Sequence, residues 1–171
     1  MRQVIGFLLA IQITISTASS IGATPNQDNY RVYHNARFAY SISYPVDILV
    51  PQGESDNGDG QKFRSKDGRT EMIVYGSYQV EKETLRKLYQ AEVSAPPTDR
   101  PKRVVTYQRL GGNWFVISGR ENGRVFYQKT ILKREKGAGS QIFITFRIEY
   151  DEAQKGAFDP ITAKIARSFK G

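Results

Sequence analysis

The chain has 171 residues, a formal net charge of +8 at pH 7 and no cysteine. Its length suits one domain with a short additional segment, and its 39% hydrophobic and 12% aromatic residues exclude an intrinsically disordered chain. Without cysteine, the chain forms no disulfide bond, no thiolate metal site and no lipid-modified cysteine.

Residues 1–23 are typical of a secretory signal peptide. Arg2 supplies an early positive charge, an apolar run follows to about Ile15, and small and polar residues come next. The alternative is an uncleaved membrane anchor, but the apolar run is shorter than the ~20 residues that spanning requires. We therefore expect export to the bacterial periplasm or the extracellular space. Three cleavage positions stay open, after Ala18, Ser20 or Ala23.

The positive charge has two interpretations. It provides solubility, or it attracts an anionic partner such as phospholipid, a cell-wall polymer or an acidic protein. A charge of this size is not specific, and solubility alone is the simpler explanation.

Residues 24–36 are interpreted as a polar lead-in, and residues 37–171 as the single domain. Tyr40, Ile42 and Tyr44 alternate with serines, which predicts a half-buried strand. Residues 46–53 are interpreted as an apolar connection. Two short strand-like runs, 61–65 and 69–78, flank an Asp-Gly pair, which predicts a tight hairpin turn because glycine accepts a positive φ.

Residues 54–60 contain clustered acidic residues and glycines that resemble a calcium loop. Aligning Asp59 and Gly60 to positions 5 and 6 of an EF-hand places Lys66 at position 12, where a bidentate carboxylate is required. We interpret the stretch as a glycine-rich turn. A weak, different kind of cation site stays as an alternative, with candidate ligands Glu54, Asp56 and Asp59.

The period then changes to that of a helix. Leu85, Leu88 and Tyr89 have the i, i+3, i+4 spacing of one apolar face, so residues 80–93 are predicted to form a helix of about three turns. Residues 94–101 contain three prolines and are predicted to form a linker.

Four consecutive strands follow as an antiparallel meander. An Asn-Gly pair at 122–123 is the strongest hairpin signal, and the last strand alternates most clearly between two faces. The predicted strands are 102–110, 113–120, 124–133 and 141–150.

Residues 158–171 are predicted to form a C-terminal helix with Asp159 as its cap and Pro160 in its first turn. Its apolar stripe consists of Ile161, Ile165 and Phe169. The predicted fold class is α+β, in which an N-terminal strand hairpin and the four-strand meander form an antiparallel sheet with two helices packed on it. We expect both helices to cover one face of the sheet.

The order of these elements and several segments resemble the PsbP-like superfamily, small exported bacterial proteins related in fold to the photosystem II extrinsic protein. The segments are "FAYSISYP", "KFRSKDGRTEMIVYG", "GGNWFVISG" and "FDPITAKIARSFK". The resemblance covers about residues 36–170. It implies a non-enzymatic binding or assembly module, and it carries no metal or partner residue over to this chain.

Catalytic constellations are scarce, so we expect no enzyme and no cofactor. His34 is the only histidine and lies in the predicted lead-in, where an exposed side chain is the simpler interpretation. No phosphate-binding loop motif is present. The remaining candidates are carboxylate pairs, Asp56 with Asp59 or Glu149 with Asp151 and Glu152.

The candidate binding residues are basic side chains near hairpin tips and one tryptophan. Consecutive tips of a meander alternate ends, so we expect the two basic clusters to lie at opposite ends of the sheet. The candidates are Trp114, Arg120, Arg124, Lys133 and Arg134, with Lys136 beside the last two.

Trp114 is interpreted either as a core residue, the commoner case, or as an exposed aromatic anchor. Tyr107, Arg109 and Tyr127 are candidates to share a solvated sheet face with it.

The sequence thus predicts an exported, non-enzymatic binding or assembly module acting in the cell envelope on a protein or an anionic polymer. Export argues against nucleic acid as the partner. The alternatives are an envelope hydrolase using a carboxylate pair or His34, and a calcium-responsive structural protein. The oligomeric state stays open, with a monomer as the working expectation.

Overall fold

A computed structural model describes residues 29–79, 83–94, 102–134 and 140–171. The predicted signal segment, residues 95–101 of the predicted linker and Lys136 lie outside the described residues. The described strands are β1 (Tyr30–Asn35), β2 (Tyr40–Pro45), β3 (Leu49–Glu54), β4 (Gly60–Ser65), β5 (Thr70–Tyr78), β6 (Arg103–Leu110), β7 (Trp114–Glu121), β8 (Arg124–Arg134) and β9 (Gln141–Asp151), and the described helices are α1 (Leu85–Val93) and α2 (Lys155–Ser168).

Seven of these strands form one antiparallel sheet in the order β3-β4-β5-β9-β8-β7-β6, and β1 and β2 form a separate hairpin. This arrangement confirms the predicted α+β class, the hairpin at the Asp-Gly turn, formed by β4 and β5, and the four-strand meander. The tight turns are as expected, since Gly68 has a φ of 70° and the pair Asn122 and Gly123 has φ values of 54° and 78°. Positive φ at both central residues is the type I′ geometry that matches the twist of paired strands.

The larger core lies between the sheet, the β1–β2 hairpin and α2. On β9, alternate residues from Ile142 to Tyr150 face this core, and Phe146 and Ile148 are fully buried there. Phe158, Ile161 and Ile165 supply the apolar stripe of α2. The packing of α2 against β2, β8 and β9 therefore positions one wall of the groove described below.

A second, smaller core lies on the opposite face of the sheet, where α1 packs against β6 and β7. Leu85 contacts a cluster that includes Phe115, Ile117 and Phe143. The expectation that both helices cover one face is therefore wrong. The central strands are apolar on both faces, and an amphipathic helix specifies its own buried side but not the face that receives it.

Three boundaries also differ from the predictions. Residues 30–35, part of the predicted lead-in, form β1, and most of the predicted connection 46–53 belongs to β3. Helix α2 begins at Lys155, so Asp159 is not its cap and instead accepts a hydrogen bond of 2.9 Å from the Tyr150 hydroxyl. Pro160 lies inside the helix.

None of the helices in the described ranges is long and apolar enough to cross a membrane.

Candidate functional site: an aromatic and cationic groove beside helix α2

A groove of about 770 Å³ lies between α2 and the faces of β6, β7 and β8 on the same side of the sheet as α2. It exists because the layer formed by α2 and the β1–β2 hairpin ends over β8. The larger core includes no residue of β6 or β7. On that side of the sheet, Val104 and Tyr107 stay 58% and 51% exposed.

The strand register explains which side chains form the floor. Ser118 on β7 lies between Tyr107 on β6 and Tyr127 on β8. Two residues further along β7, Val116 lies between Arg109 and Lys129. Directly opposed residues share a face of the sheet, so aromatic and cationic side chains form two adjacent cross-strand rows.

We call the end of the groove at Trp114 the tryptophan end. Trp114 is half-buried and belongs to neither core, which contradicts its interpretation as a core residue. Its indole lies against Gly111, where a β-carbon would come within 2.5 Å of Cε2. The guanidinium of Arg109 lies 5.8 Å from the centre of the indole ring, within the range of a cation–π contact. Trp114, Tyr107, Arg109 and Tyr127 line this one groove, as the sequence suggested.

Basic side chains outnumber acidic ones along the groove. The lining includes a single carboxylate, Asp159. The basic residues are Arg109, Arg120, Lys129, Lys155 and Arg167.

The other end, which we call the paired end, is electrically balanced. Arg120 donates a 3.0 Å hydrogen bond from Nε to Glu152, and Lys155 pairs with Asp159 one helical turn away. These pairs keep the cations of the paired end occupied within the protein.

Cations at the tryptophan end have no such partner. Within the part of the chain that the structure describes, Arg109, Lys129 and Arg167 form no ion pair with a carboxylate. Lys129 is half-buried, and its ammonium donates a 2.8 Å hydrogen bond to the carbonyl of Ala166 near the end of α2. Burial lowers the pKa of Lys129, because the surroundings solvate its charge less well than water does.

Tyrosine hydroxyls add hydrogen-bonding groups to the floor. Burial raises the pKa of Tyr127 to about 12, and its neighbour Tyr107 adds to that shift. Tyr127 therefore stays protonated at neutral pH and can donate to an anionic ligand. The floor thus combines apolar surface, neutral donors and cations, a combination that suits an anionic partner.

The structure separates the five residues predicted for binding. Trp114 and Arg120 line the groove, at its tryptophan end and paired end. Arg124 holds backbone instead, donating to the carbonyl of Arg69 at 2.6 Å and to that of Glu149 at 3.3 Å.

Lys133 also holds backbone, donating to the carbonyls of Phe38 and Ala39 at 2.9 and 2.7 Å. Arg134 is exposed at the last residue of β8, whereas Arg124 is at its first. The two predicted basic clusters therefore lie at opposite ends of the sheet, as expected.

Sequence reasoning missed Lys129, Lys155 and Arg167. Lys129 follows Tyr127 by two residues on the same strand, so strand alternation alone would have placed it on the same face. Lys155 and Arg167 lie on α2, and no sequence pattern indicated that this helix would border β6 and β7.

In the acidic loop, neighbouring side chains engage Glu54 and Asp59, two of the three candidate ligands of the alternative cation site. Glu54 accepts a 2.5 Å hydrogen bond from the Tyr33 hydroxyl, and Asp59 accepts bonds from Ser55 and Asn57 at 2.5 and 2.9 Å. Among the residues that the structure describes, no three acidic or histidine side chains are grouped so as to hold a metal, and Glu54, Asp56 and Asp59 are no exception. The hydroxyl of Ser55 and the amide of Asn57 lower the pKa of Asp59 despite some burial.

In one of the carboxylate groups proposed for a hydrolase, Glu149, Asp151 and Glu152 each have a cationic neighbour. Glu149 pairs with Arg147 at 2.7 Å, and the hydrogen bond from Arg120 lowers the pKa of Glu152. A general acid needs a raised pKa, so this direction does not favour acid catalysis by Glu152. His34 is exposed on β1, and its backbone partner on β2 is Ser41.

An ion network occupies the opposite face of the sheet. Glu121 accepts hydrogen bonds from Arg103, at 2.9 Å, and from Arg147. Arg103 also pairs with Glu92 of α1 at 2.8 Å. Both guanidiniums lie over the ring of Phe126, at 5.3 and 4.5 Å from its centre. This network ties the C-terminal turn of α1 to the sheet.

The architecture, a seven-stranded antiparallel sheet with a separate hairpin and helices on both faces, is similar to the PsbP-like fold, as the sequence resemblance implied. At the level of sequence, no family profile matches the chain and no curated protein matches it.

Two solved structures show the likeness. The solution structure of cyanobacterial PsbP (CyanoP) from Synechocystis sp. PCC 6803 has a TM-score of 0.58 and 14% identity, covering 91% of this chain and 98% of that one. The crystal structure of the Ran-binding protein Mog1p from Saccharomyces cerevisiae has a TM-score of 0.51 and 13% identity, covering 83% of this chain and 95% of that one. Identities this low establish a shared fold and nothing about a shared task.

Proposed function

We propose that the chain is an exported, non-enzymatic binding module of the cell envelope, and that an anionic partner binds in the groove beside α2. The observation that carries this proposal is the tryptophan end, where Arg109, Lys129 and Arg167 meet an aromatic floor and pair with no carboxylate of the described residues. A half-buried ammonium without a counter-charge is energetically unfavourable, and a bound anion relieves that cost.

The location in the envelope is inferred from residues 1–23. Their basic start, short apolar run and following small residues are typical of a secretory signal peptide. The PsbP-like fold is compatible with a binding role because its neighbour Mog1p is named for binding a protein. Neither alternative from the sequence gains support, since Glu149 and Glu152 have cationic neighbours and, among the described residues, the calcium ligands are not grouped to hold a metal.

The test is site-specific photo-crosslinking in the native envelope. A photoreactive phenylalanine analogue replaces Tyr107 in the groove or, as the matched control, Lys62, which is exposed on β4 in the far half of the sheet. We expect one dominant adduct from position 107 that is absent from position 62 and is lost when Arg109 and Arg167 are both changed to glutamate.

Equal adducts from both positions, or an adduct that survives the double charge reversal, would contradict the groove as the binding site.

A further inference from the structure

The groove lies in an incomplete layer of the fold. On this side of the sheet, the β1–β2 hairpin and α2 cover the strands as far as β8, and the faces of β6 and β7 carry no covering element among the described residues. Domains are built from packed layers, and a sheet face with exposed apolar residues such as Val104 and Tyr107 is a place where a further element can pack.

The dimensions of the uncovered face match one α-helix. Neighbouring strands lie roughly 4.8 Å apart, so β6, β7 and β8 provide a floor about 10 Å wide. From Trp114 to Arg120 the floor follows six residue steps of β7, or about 20 Å at ~3.4 Å per residue. An α-helix with its side chains is about 10–12 Å across.

Helix α2 already runs along this direction. Its Asp159 meets Tyr150, which lies in the cross-strand row of Arg120, and its Ala166 meets Lys129, in the row of Val116. A second helix placed alongside α2 would therefore follow the groove along its length.

Backbone hydrogen bonding favours a helix over an extended chain. The groove is bordered by a sheet face and a helix, and both present side chains, because their backbone groups are already bonded within the ladders and the helix. An extended peptide in the groove would bury its own backbone groups without backbone partners, whereas a helix satisfies them internally.

The remaining backbone edge is the outer edge of β6, where an extended peptide could add a strand. That edge is interrupted by a β-bulge between Val105 and Tyr107 and carries Arg103 and Arg109 at its ends. Bulges and charges on an edge strand oppose strand addition. An extended partner therefore finds a poor site both in the groove and at its rim.

The charges of the groove determine where a bound helix would carry its acidic residues. At the paired end, Glu152 and Asp159 already neutralise Arg120 and Lys155. At the tryptophan end, Arg109, Lys129 and Arg167 have no carboxylate partner in the described chain. A partner that complements this groove carries its acidic residues over the tryptophan end and apolar residues over the floor.

From this juxtaposition we infer that the partner presents an acidic amphipathic α-helix, which seats beside α2 on β6 and β7. This inference rests on the proposed function and specifies the class of its partner. At 1.5 Å per residue, the floor accommodates about 13 helical residues. Apolar residues at helical spacing pack on Tyr107, Val116 and Tyr127, and carboxylates on the flank pair with Arg109 and Arg167.

The probe is a synthetic amidated 15-residue peptide with leucine at i, i+3, i+4 and i+7 and glutamate on the flanks. Trp114 is the only tryptophan of the chain, so its fluorescence reports occupation of the groove directly. Far-ultraviolet circular dichroism reports the helicity of the peptide. Three comparison probes separate the sources of negative charge: the same peptide with two central prolines, polyglutamate of equal length, and alginate.

We expect the helical peptide to change Trp114 fluorescence saturably and to gain helicity on binding. The double variant Arg109→Glu/Arg167→Glu should weaken its binding at least tenfold, and both residues are exposed, so the fold is retained. Arg31→Glu/Lys62→Glu is the matched control with the same change in net charge away from the groove, and it should bind within twofold of the wild type.

A second variant tests the space that the helix occupies in the groove rather than the charge of the groove. Ala163 is a half-buried residue of α2 that lines the groove, so Ala163→Phe fills space without removing a cation. We expect it to weaken binding of the helical peptide at least tenfold.

Two results would overturn the inference in distinguishable ways. Equal or tighter binding of the proline-containing peptide, polyglutamate or alginate would reject the helix while keeping the groove as an anion-binding site. No change of Trp114 fluorescence with any of the four probes would reject the groove site itself and with it the proposed function.

Discussion

The ion network on the α1 face offers the sharpest test of how this fold is stabilised. We predict that Glu121→Gln destabilises the protein by removing the charge that Arg103 and Arg147 share. All three side chains are only 14–17% exposed. The substitution keeps the size of the side chain, so the effect is electrostatic rather than one of packing.

The magnitude follows from what each arginine retains. Breaking a fully buried pair costs roughly 3–5 kcal/mol because the remaining charge is left alone. Here Arg103 keeps Glu92 at 2.8 Å and Arg147 keeps Glu149 at 2.7 Å. We therefore expect a loss of about 2 kcal/mol in the free energy of unfolding, which lowers Tm by about 4–8 °C for a domain of this size.

The lowered pKa of Glu121 determines how its contribution to stability changes with pH. Burial alone would raise the pKa of Glu121, but the hydrogen bond from Arg103 and the charges of both arginines lower it below its usual value of 4.5. A carboxyl group whose pKa is lower in the folded state stabilises the protein above its unfolded pKa. That contribution is lost as the pH falls through the folded pKa. The difference between wild type and Glu121→Gln should therefore be full at pH 7 and shrink below about pH 4.5.

Urea denaturation followed by circular dichroism at pH 7 and at a series of acidic pH values measures this difference. Glu152→Gln is the matched control, because its pair with Arg120 is solvent-exposed, and it should leave the midpoint nearly unchanged. A Glu121→Gln midpoint equal to that of the control at pH 7, or a difference that persists undiminished at low pH, would refute the reasoning.

Three further predictions concern the groove and the turns. Iodide should quench Trp114 fluorescence more efficiently than caesium, because the guanidinium of Arg109 lies 5.8 Å from the indole and Lys129 and Arg167 line the same groove, and Arg109→Glu should reduce that preference; equal quenching by both ions would contradict the charge distribution. Gly123→Ala should lower the free energy of unfolding by about 1 kcal/mol in urea titrations, because φ is 78° there, and an unchanged midpoint would exclude strain at this turn. Millimolar calcium should leave Tm unchanged, since Glu54 and Asp59 are engaged by neighbouring side chains, and a saturable rise in Tm would restore the calcium hypothesis.

The sequence correctly predicted elements that have a clear local pattern, such as turn residues or an alternation of apolar residues. The Asn122–Gly123 pair predicted a hairpin because both residues accept positive φ, and the alternation from Ile142 to Tyr150 predicted a strand with two distinct faces. Predictions failed where the local signal was weak. Strands β1 and β3 are mostly polar or exposed, and pairing with β2 and β4 makes them strands.

In the groove, too, local pattern predicted some of the residues and tertiary packing decided the others. Alternation along β6, β7 and β8 was enough to suggest that Tyr107, Arg109, Trp114 and Tyr127 share a face. The participation of Arg167 depends on where α2 packs, and that placement follows from contacts between residues more than 30 positions apart, such as Lys129 with Ala166.

By itself, the sequence determined the class of the fold, the turns, the periodic faces of the central strands and the lack of any disulfide, because these depend on residues close together in the chain or on composition. Only the tertiary structure decided that α1 and α2 cover opposite faces and that none of the described elements covers β6 and β7 beside α2. A helix or strand encodes which of its sides is apolar, but the neighbour that covers that side is selected by packing of the whole domain. The cations of the tryptophan end, Arg109, Lys129 and Arg167, come together in one groove for the same reason.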